Sequence, residues 1–180
     1  MKGVALALAA LLGMGLAAAP APAQETVKVG GLFDLTGVTS EVGKPYAQAV
    51  IDHVTLLNER GGINGRKIEL SAVDYGYKIP EAVAAYKRLV ADEKVVMING
   101  WGTGDTLALK EFVNKDRIPY FSASFAGDLT DPSKTPYNFF VGPSYSDEIR
   151  AWLTWVKDDA KAKGRPPKVA FIYFDNAYGK

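Results

Sequence analysis

The chain has 180 residues, of which 48% are hydrophobic, and its 21 basic and 20 acidic residues leave a formal net charge of +1. This balance gives no support for nucleic-acid binding or for a polybasic membrane contact. Because the chain has no cysteine and one histidine, it excludes a disulfide scaffold, a His/Cys metal cluster and a Cys–His catalytic pair, and no metal or cofactor is expected.

The amino-terminal residues have the order of a secretory leader. Lys2 is followed by an apolar run over 4–16 and then by small residues that end in the tripeptide APA. This order predicts a signal peptide over 1–23, cleaved after Ala23. A transmembrane anchor fits less well, because a membrane span needs about 20 apolar residues and this run is shorter. The mature protein is therefore expected outside the cytoplasm.

The first part of the mature chain alternates strand and helix patterns with short connections. This alternation predicts an α/β fold, a parallel sheet with helices on both faces. The run VVMI has no polar alternation and is typical of a strand that is buried on both faces. His53 falls within the first helix and is expected on its surface. The predicted elements are, in chain order, a strand over Val27–Phe33, a helix over 44–60, a strand over 67–73, a helix that begins near Pro80, a strand over 95–98, a helix over 106–115 and a strand over 118–124.

The later part of the chain has a different character. Residues 127–147 are rich in turn formers and show no helical period, so we expect a long connection with a short strand over 138–141. Four apolar residues at helical spacing then predict an amphipathic helix. They are Ile149, Trp152, Leu153 and Val156. The apolar run VAFIYF, over 169–174, predicts one more buried strand.

The loop NGWGTGDT, over 99–106, leads from a predicted strand into a predicted helix. A glycine-rich turn at a helix start exposes backbone N–H groups at the positive end of the helix dipole, which suits a phosphate or a carboxylate. The dinucleotide-binding pattern fails, because Asp105 stands where its third glycine belongs, and the chain has no Gly-Lys-Ser/Thr sequence of a Walker A loop. Asp105 would also repel a phosphate. A carboxylate therefore fits better, with Asp105 as a cap of the helix.

Polar and aromatic residues at the carboxyl ends of the predicted strands form the candidate binding site, since ligands of open parallel sheets bind beyond these ends. Thr103 follows the third strand, and Ser122 and Ser124 follow the fourth, so their hydroxyls are expected together around a carboxylate. Trp101 has little local core to join and is expected to form an aromatic wall. The predicted ligand-binding residues are Thr36, Tyr75, Trp101, Gly102, Thr103, Gly104, Ser122 and Ser124. No catalytic residue is predicted.

Several stretches together resemble a known family. GLFDLTG, RGGINGRKIEL, VMINGWGTGDTLAL and IPYFSASFAGDLTDP resemble, in this order, the first lobe of the periplasmic substrate-binding proteins of ABC transporters, of the branched-chain amino acid (Leu/Ile/Val) type. VAFIYFDNAYGK resembles the strand and turn that open the second lobe of these proteins. The resemblance covers nearly the whole mature chain and identifies it as the amino-terminal part of such a protein.

The resemblance implies a type I periplasmic binding protein fold, in which two α/β lobes close on a small ligand and deliver it to the membrane permease subunits of an ABC importer. It implies an incomplete ligand-binding lobe over 24–143, and a crossover with the truncated start of the second lobe over 144–180. It also implies a monomer in the periplasm without enzyme activity. Residues 24–180 alone are then expected to bind ligand weakly or not at all, because half of the cleft is absent.

The resemblance also bears on the ligand. In the family a hydroxyl after the third strand and groups after the fourth hold the ligand carboxylate, and these positions fall on Thr103, Ser122 and Ser124. Two departures stand out, since WGTGD replaces the serine-rich loop of the leucine-binding members and Ser124-Phe125 replaces the usual alanine-threonine pair. Trp101 and Phe125 allow a bulkier or aromatic carboxylate.

Two other functions remain open from the residues. The first is an exported flavodoxin-like α/β enzyme that uses Asp34 or Asp74 as an acid or a base. The second is the ligand-binding module of a sensory receptor, which shares the fold.

Overall fold

The computed structural model describes residues 26–179, and the predicted signal peptide lies outside this range. The described part of the chain is an α/β fold. Its strands are β1 (Val27–Phe33), β2 (Ile68–Asp74), β3 (Met97–Gly100), β4 (Tyr120–Ser122) and β5 (Asn138–Phe139). Its helices are α1 (Ser40–Glu59), α2 (Ile79–Ala91), α3 (Thr103–Asp116) and α4 (Tyr145–Ala162).

All five strands belong to one sheet with the order β2-β1-β3-β4-β5, and every neighbouring pair is parallel. The chain therefore leaves β1 toward one side of the sheet and returns across it to build β3. Because such crossovers are right-handed, α1 lies on one face of the sheet, while α2 and α3 lie on the other. This arrangement confirms the parallel sheet with helices on both faces that the sequence predicts.

The main core lies between the sheet and the pair α2 and α3. Its members are large apolar side chains that are at most 1% exposed: Leu32, Tyr86, Leu89, Ile98, Leu109, Val113 and Tyr120. The face under α1 is less well covered. Ala47 is buried there, but Ile51 is 37% exposed, and His53 is exposed as expected.

The first helix begins at Ser40, four residues before the predicted start. Proline is common at the first position of a helix, but here Gly43 and Pro45 both lie inside α1. The Gly43 N–H donates to the Thr39 carbonyl oxygen at 2.9 Å, so the helical pattern of hydrogen bonds is already present before Pro45.

The buried strand predicted over 169–174 is wrong. This segment has no strand geometry, and Phe171 and Phe174 are 58% and 66% exposed. A parallel strand needs a neighbour for its backbone hydrogen bonds, and none of the described strands pairs with this run. The amphipathic helix before it is present as α4, with the Asp147 N–H donating to the Ser144 hydroxyl at its start at 3.2 Å.

A methyl group at Gly100 should destabilise the sheet. Gly100 ends β3, and a Cβ placed there would overlap the hydroxyl and ring of Tyr120, which is 1% exposed. Because neither group can move toward solvent, we expect Gly100→Ala to lower the free energy of unfolding by about 1–3 kcal/mol in urea denaturation. Gly127→Ala is a matched control, since its Cβ would come no closer than 3.5 Å to Ser146 Oγ. Equal stability of the two variants would contradict this packing argument.

Candidate functional site

The site is built where the strand order reverses. β1 lies between β2 and β3, and the chain leaves the carboxyl ends of β1 and β3 in opposite directions. The loop 34–39 after β1 and the loop 101–102 after β3 therefore flank a crevice, as is usual at such a reversal. Gly31 of β1 aligns with Asn99 of β3, which brings both loops to the same level of the sheet.

The loop after β1 is organised around the buried carboxylate of Asp34. Its Oδ1 accepts a hydrogen bond from the Gly37 N–H at 2.6 Å. Its Oδ2 accepts bonds from the Thr39 N–H at 2.8 Å and from the Thr39 hydroxyl at 2.6 Å. Three donors thus compensate the burial of one charge, and the loop is held in a single shape.

Trp101 connects this loop to the loop after β3. Its indole Nε1–H donates to Thr39 Oγ1 at 2.8 Å, and its ring packs on Tyr46 with 5.0 Å between the ring centroids. The Tyr46 hydroxyl in turn donates to the Gly100 carbonyl oxygen at 3.2 Å. The indole is therefore fixed at its polar edge by Thr39 and on one side by Tyr46.

The glycine at position 102 makes room for a second buried carboxylate. A Cβ on Gly102 would collide with Asp105 Oδ1 and with the Tyr75 hydroxyl. The Tyr75 hydroxyl donates to Asp105 Oδ1 at 2.7 Å, while Asp105 Oδ2 has no hydrogen-bond partner among residues 26–179. The lack of a side chain at position 102 thus lets the loop pack directly over Asp105.

Burial raises the pKa of Asp105 to about 7, although the hydrogen bond from Tyr75 acts in the opposite direction. The nearby charge of Asp34 also raises this pKa. Burial likewise raises the pKa of Tyr75, Tyr77 and Tyr120, the phenols that surround Asp105. The backbone of Gly102 and of Asp105 itself also acts to lower the Asp105 pKa, but the effect of burial is larger.

The hydroxyls predicted around a carboxylate do come together. The Ser124 hydroxyl donates to Thr103 Oγ1 at 3.0 Å, and Ser122 Oγ accepts from the Ser124 backbone N–H at 3.1 Å. Thr103 is the first residue of α3 and is 2% exposed. Because a hydroxyl can donate one proton, and Thr103 uses its oxygen to accept from Ser124, its own proton can turn toward the crevice.

A cavity of about 550 Å³ lies in front of these groups. Six of the fifteen described residues that line it are aromatic, and none is a lysine or an arginine. The lining residues are Val38, Thr39, Glu41, Val42, Tyr77, Trp101, Gly102, Thr103, Ala123, Phe125, Tyr145, Glu148, Phe174, Asn176 and Tyr178. A smaller cavity of about 240 Å³ adjoins it and is lined by Gly104 and Asp105, among others.

The predicted site residues either line one of the two cavities, lie behind the lining residue Thr103, or lie away from both cavities. Trp101, Gly102 and Thr103 line the large cavity, and Gly104 lines the small one. Ser122 and Ser124 lie behind Thr103, at 9% and 1% exposure.

Thr36 and Tyr75 line neither of these two cavities. The Thr36 hydroxyl donates to Asp74 Oδ2 at 2.6 Å in an exposed position, and Tyr75 is buried against Asp105. Both side chains face groups of the protein itself, so a ligand in the large cavity would not touch them.

Sequence reasoning missed Thr39, which both lines the cavity and holds Trp101. The predicted helix start at Lys44 placed Thr39 in an unassigned loop. A Thr-Ser pair followed by an acidic residue is a typical helix start, so that signal was present in the sequence. The wall formed by Tyr145, Phe174 and Tyr178 was also missed, because it depends on how the end of the chain folds back.

The carboxylates considered for enzyme chemistry have structural roles. Asp34 is fully buried and is used by three donors. Burial acts to raise the pKa of Asp74, but hydrogen bonds from the Thr36 hydroxyl and from the backbone N–H groups of Leu35 and Gly76 lower it below its ordinary value. Within 26–179 no cluster of His, Asp or Glu could hold a metal ion, and no helix has the length and apolar character for crossing a membrane.

Comparison with known sequences gives a consistent result. The profile of the family described as periplasmic binding protein matches residues 26–180. The Leu/Ile/Val-binding protein homolog 7 of Brucella melitensis is 31% identical over 186 residues, which cover 98% of this chain and 44% of that protein. The chain thus spans less than half the length of this relative.

Two solved structures share the fold and more than a quarter of the aligned residues. The fatty acid ABC transporter substrate-binding protein from Thermomonospora curvata has a TM-score of 0.74 and 28% identity, over 86% of this chain and 39% of that one. A branched chain amino acid ABC transporter from Thermus thermophilus, solved with bound valine, has a TM-score of 0.71 and 29% identity, over 76% of this chain and 35% of that one.

Asp105 should make the protein less stable as the pH rises. Between its ordinary pKa of 3.8 and its raised value of about 7, the folded protein keeps a proton that the unfolded chain has lost. Stability therefore falls as the pH rises through this window and levels off above it. Urea unfolding should show a free energy lower by at least about 1 kcal/mol at pH 8 than at pH 5 from this group.

Asp105→Asn keeps an acceptor for Tyr75 and carries no charge, so it should remove most of this fall in the free energy of unfolding between pH 5 and pH 8. The exposed Asp128→Asn is the matched control and should leave the fall unchanged. A fall of the same size in Asp105→Asn and in the parent protein would show that another group causes it.

Proposed function

This chain belongs to the periplasmic binding protein family, and we propose that the protein is the extracytoplasmic solute-binding component of an ABC importer. Its fold is that of the type I periplasmic binding proteins. In this proposal the protein binds an amino acid or another small carboxylate, aromatic ones included, between two lobes and releases it to membrane permease subunits.

The main support for a carboxylate ligand is the pair of hydroxyls at the start of α3. Thr103 and Ser124 come from the ends of neighbouring strands and touch at 3.0 Å. The positive end of the helix dipole and a free hydroxyl proton of Thr103 would both favour an anion in front of them. The solved neighbours support this class of ligand, since one is a fatty acid transporter's substrate-binding protein and the other has bound valine, and both compounds have a carboxylate.

The charged side chains around the cavity restrict the class of ligand further. Glu41 and Glu148 line the cavity from exposed positions, and no described lysine or arginine does. A second negative charge on the ligand would therefore be repelled by these two carboxylates. A monocarboxylate, or an amino acid whose ammonium group offsets the local negative charge, fits best, with the aromatic walls around its apolar part.

The family supports the remaining parts of the proposal. The protein would act in the periplasm as a monomer after cleavage of the signal peptide near Ala23, with residues 24–143 in the first lobe and 144–180 at the start of the second. The half-exposed apolar side chains of α4, among them Trp152 and Trp155, support this division, because they offer a surface on which further structure can pack. Closure of the two lobes on the ligand would be the mechanism, without covalent chemistry.

The test is the loss of the Thr103 hydroxyl in the full-length protein. Isothermal titration with valine, phenylalanine, benzoate and octanoate should find binding of at least one of these carboxylates. Thr103→Val should then weaken that binding by about 1–3 kcal/mol, because a buried carboxylate loses a hydrogen bond. Thr103→Ser, which keeps the hydroxyl, should retain most of the affinity.

Two results would contradict this assignment. Unchanged affinity in Thr103→Val would place the carboxylate elsewhere. Binding of the matching primary amide, such as valinamide, as tightly as the acid would show that the site does not recognise a carboxylate.

A further inference from the structure

Thr39 stands at the N-cap position of α1 but does not cap the helix. A threonine at this position usually accepts a hydrogen bond from a backbone N–H of the first turn, and the Thr39 side chain accepts none from α1. Its hydroxyl is used instead between Asp34 and Trp101. A local interaction that normally stabilises a helix has thus been replaced by contacts across the crevice.

The direction of both hydrogen bonds is determined by chemistry. An indole N–H can only donate, and the Asp34 carboxylate can only accept. The Thr39 hydroxyl must therefore accept from Trp101 Nε1 at 2.8 Å and donate to Asp34 Oδ2 at 2.6 Å. Two backbone N–H groups hold Asp34 in place. The Thr39 hydroxyl, which donates to Asp34, therefore presents its oxygen to the indole in one orientation.

This arrangement decides what Trp101 offers to a ligand. Because its N–H is used inside the protein, the indole presents only carbon atoms to the large cavity. Tyr46 packs on it at 5.0 Å, and a rotation of the ring would break both this contact and the bond to Thr39. The indole is thus a fixed flat surface, and flat surfaces pack more favourably with aromatic rings than with branched aliphatic groups.

We propose that Thr39 is a positioning residue that holds the Trp101 indole against the cavity and thereby makes the site prefer flat aromatic carboxylates to branched aliphatic ones. This proposal rests on the function proposed above. It adds a preference within that class of ligands and a residue that sets it.

The experiment uses Thr39→Val in the full-length protein, because valine keeps the shape of threonine and removes the hydroxyl. Two readouts are compared with those of the parent protein. One is the indole N–H resonance of Trp101 in ¹⁵N-labelled protein, assigned by its loss in Trp101→Phe. The other is the ratio of the affinities for benzoate and valine, measured by titration calorimetry.

In the parent protein benzoate should bind more tightly than valine. Thr39→Val should shift the Trp101 indole resonance and weaken benzoate binding roughly two- to twelvefold, the range expected for one aromatic pair. Valine binding should change by less than about twofold, so the affinity ratio should fall. Thr39→Ser, which restores a hydroxyl, should restore both the resonance and the ratio.

Thr55→Val is the matched control, since it removes a threonine hydroxyl from an exposed position on the same helix, where the hydroxyl donates to the Ile51 carbonyl oxygen at 2.9 Å. It should leave the indole resonance and both affinities unchanged. A similar loss for benzoate and valine in Thr39→Val would mean that Thr39 only supports the fold, and an unshifted resonance would mean that the indole does not depend on it. Either result would overturn the positioning role and leave the solute-binding function intact.

A parent protein that binds valine at least as tightly as benzoate would overturn the preference alone. If the parent protein binds none of the four carboxylates tested above, the proposed function fails and this preference fails with it. The indole resonance of Thr39→Val would still show whether Thr39 holds Trp101.

Discussion

The reversal of strand order between β1 and β3 is the constraint on which the site depends. Connections between parallel strands are right-handed. Because β2 lies on one side of β1 and β3 and β4 lie on the other, the connection after β1 and the connection after β3 run in opposite directions. This opens a crevice between the two loops at the carboxyl ends of the strands. The Trp101 indole spans that crevice through its bond to Thr39. Thr103 lines the same cavity as Trp101 and is joined to Ser124 by a hydrogen bond.

Two buried carboxylates support the crevice in different ways. Asp34 receives three hydrogen bonds and fixes the loop after β1. Asp105 receives one from Tyr75 and has an unpaired oxygen, so burial raises its pKa to about 7. Both side chains are at most 2% exposed, and for Asp105 the effect of burial on the pKa exceeds that of the Tyr75 hydroxyl and of the nearby Gly102 and Asp105 backbone. The negative charge of Asp105, which lies in the first turn of α3, is therefore reduced near neutral pH. This weakens its repulsion of an anionic ligand at Thr103.

The described chain is much better packed at its centre than at its end. The face under α2 and α3 has a continuous core, whereas Trp155 of α4 and the segment 169–174 are largely exposed. The side chains of this end nevertheless contribute to the cavity through Phe174 and Tyr178. Apolar side chains at the centre of the described chain therefore form a core, whereas apolar side chains near its end line a cavity.

The sequence by itself determined the parallel α/β fold, the order of its helices and strands up to α4, the family, and the meeting of Thr103 with Ser124. The fold and the meeting of the two hydroxyls follow from apolar periodicity and from the rule that parallel strands end at one edge, and both act over short stretches of chain. The family follows from the resemblance of several short stretches to its first lobe. Only the tertiary structure decided that Thr36 and Tyr75 face other protein groups, that Thr39 bonds to Trp101, and that residues 169–174 form no strand. Each of these depends on a partner distant in sequence, such as Asp74, Asp105 or a neighbouring strand, and local patterns do not encode which partner a polar group or a strand will find.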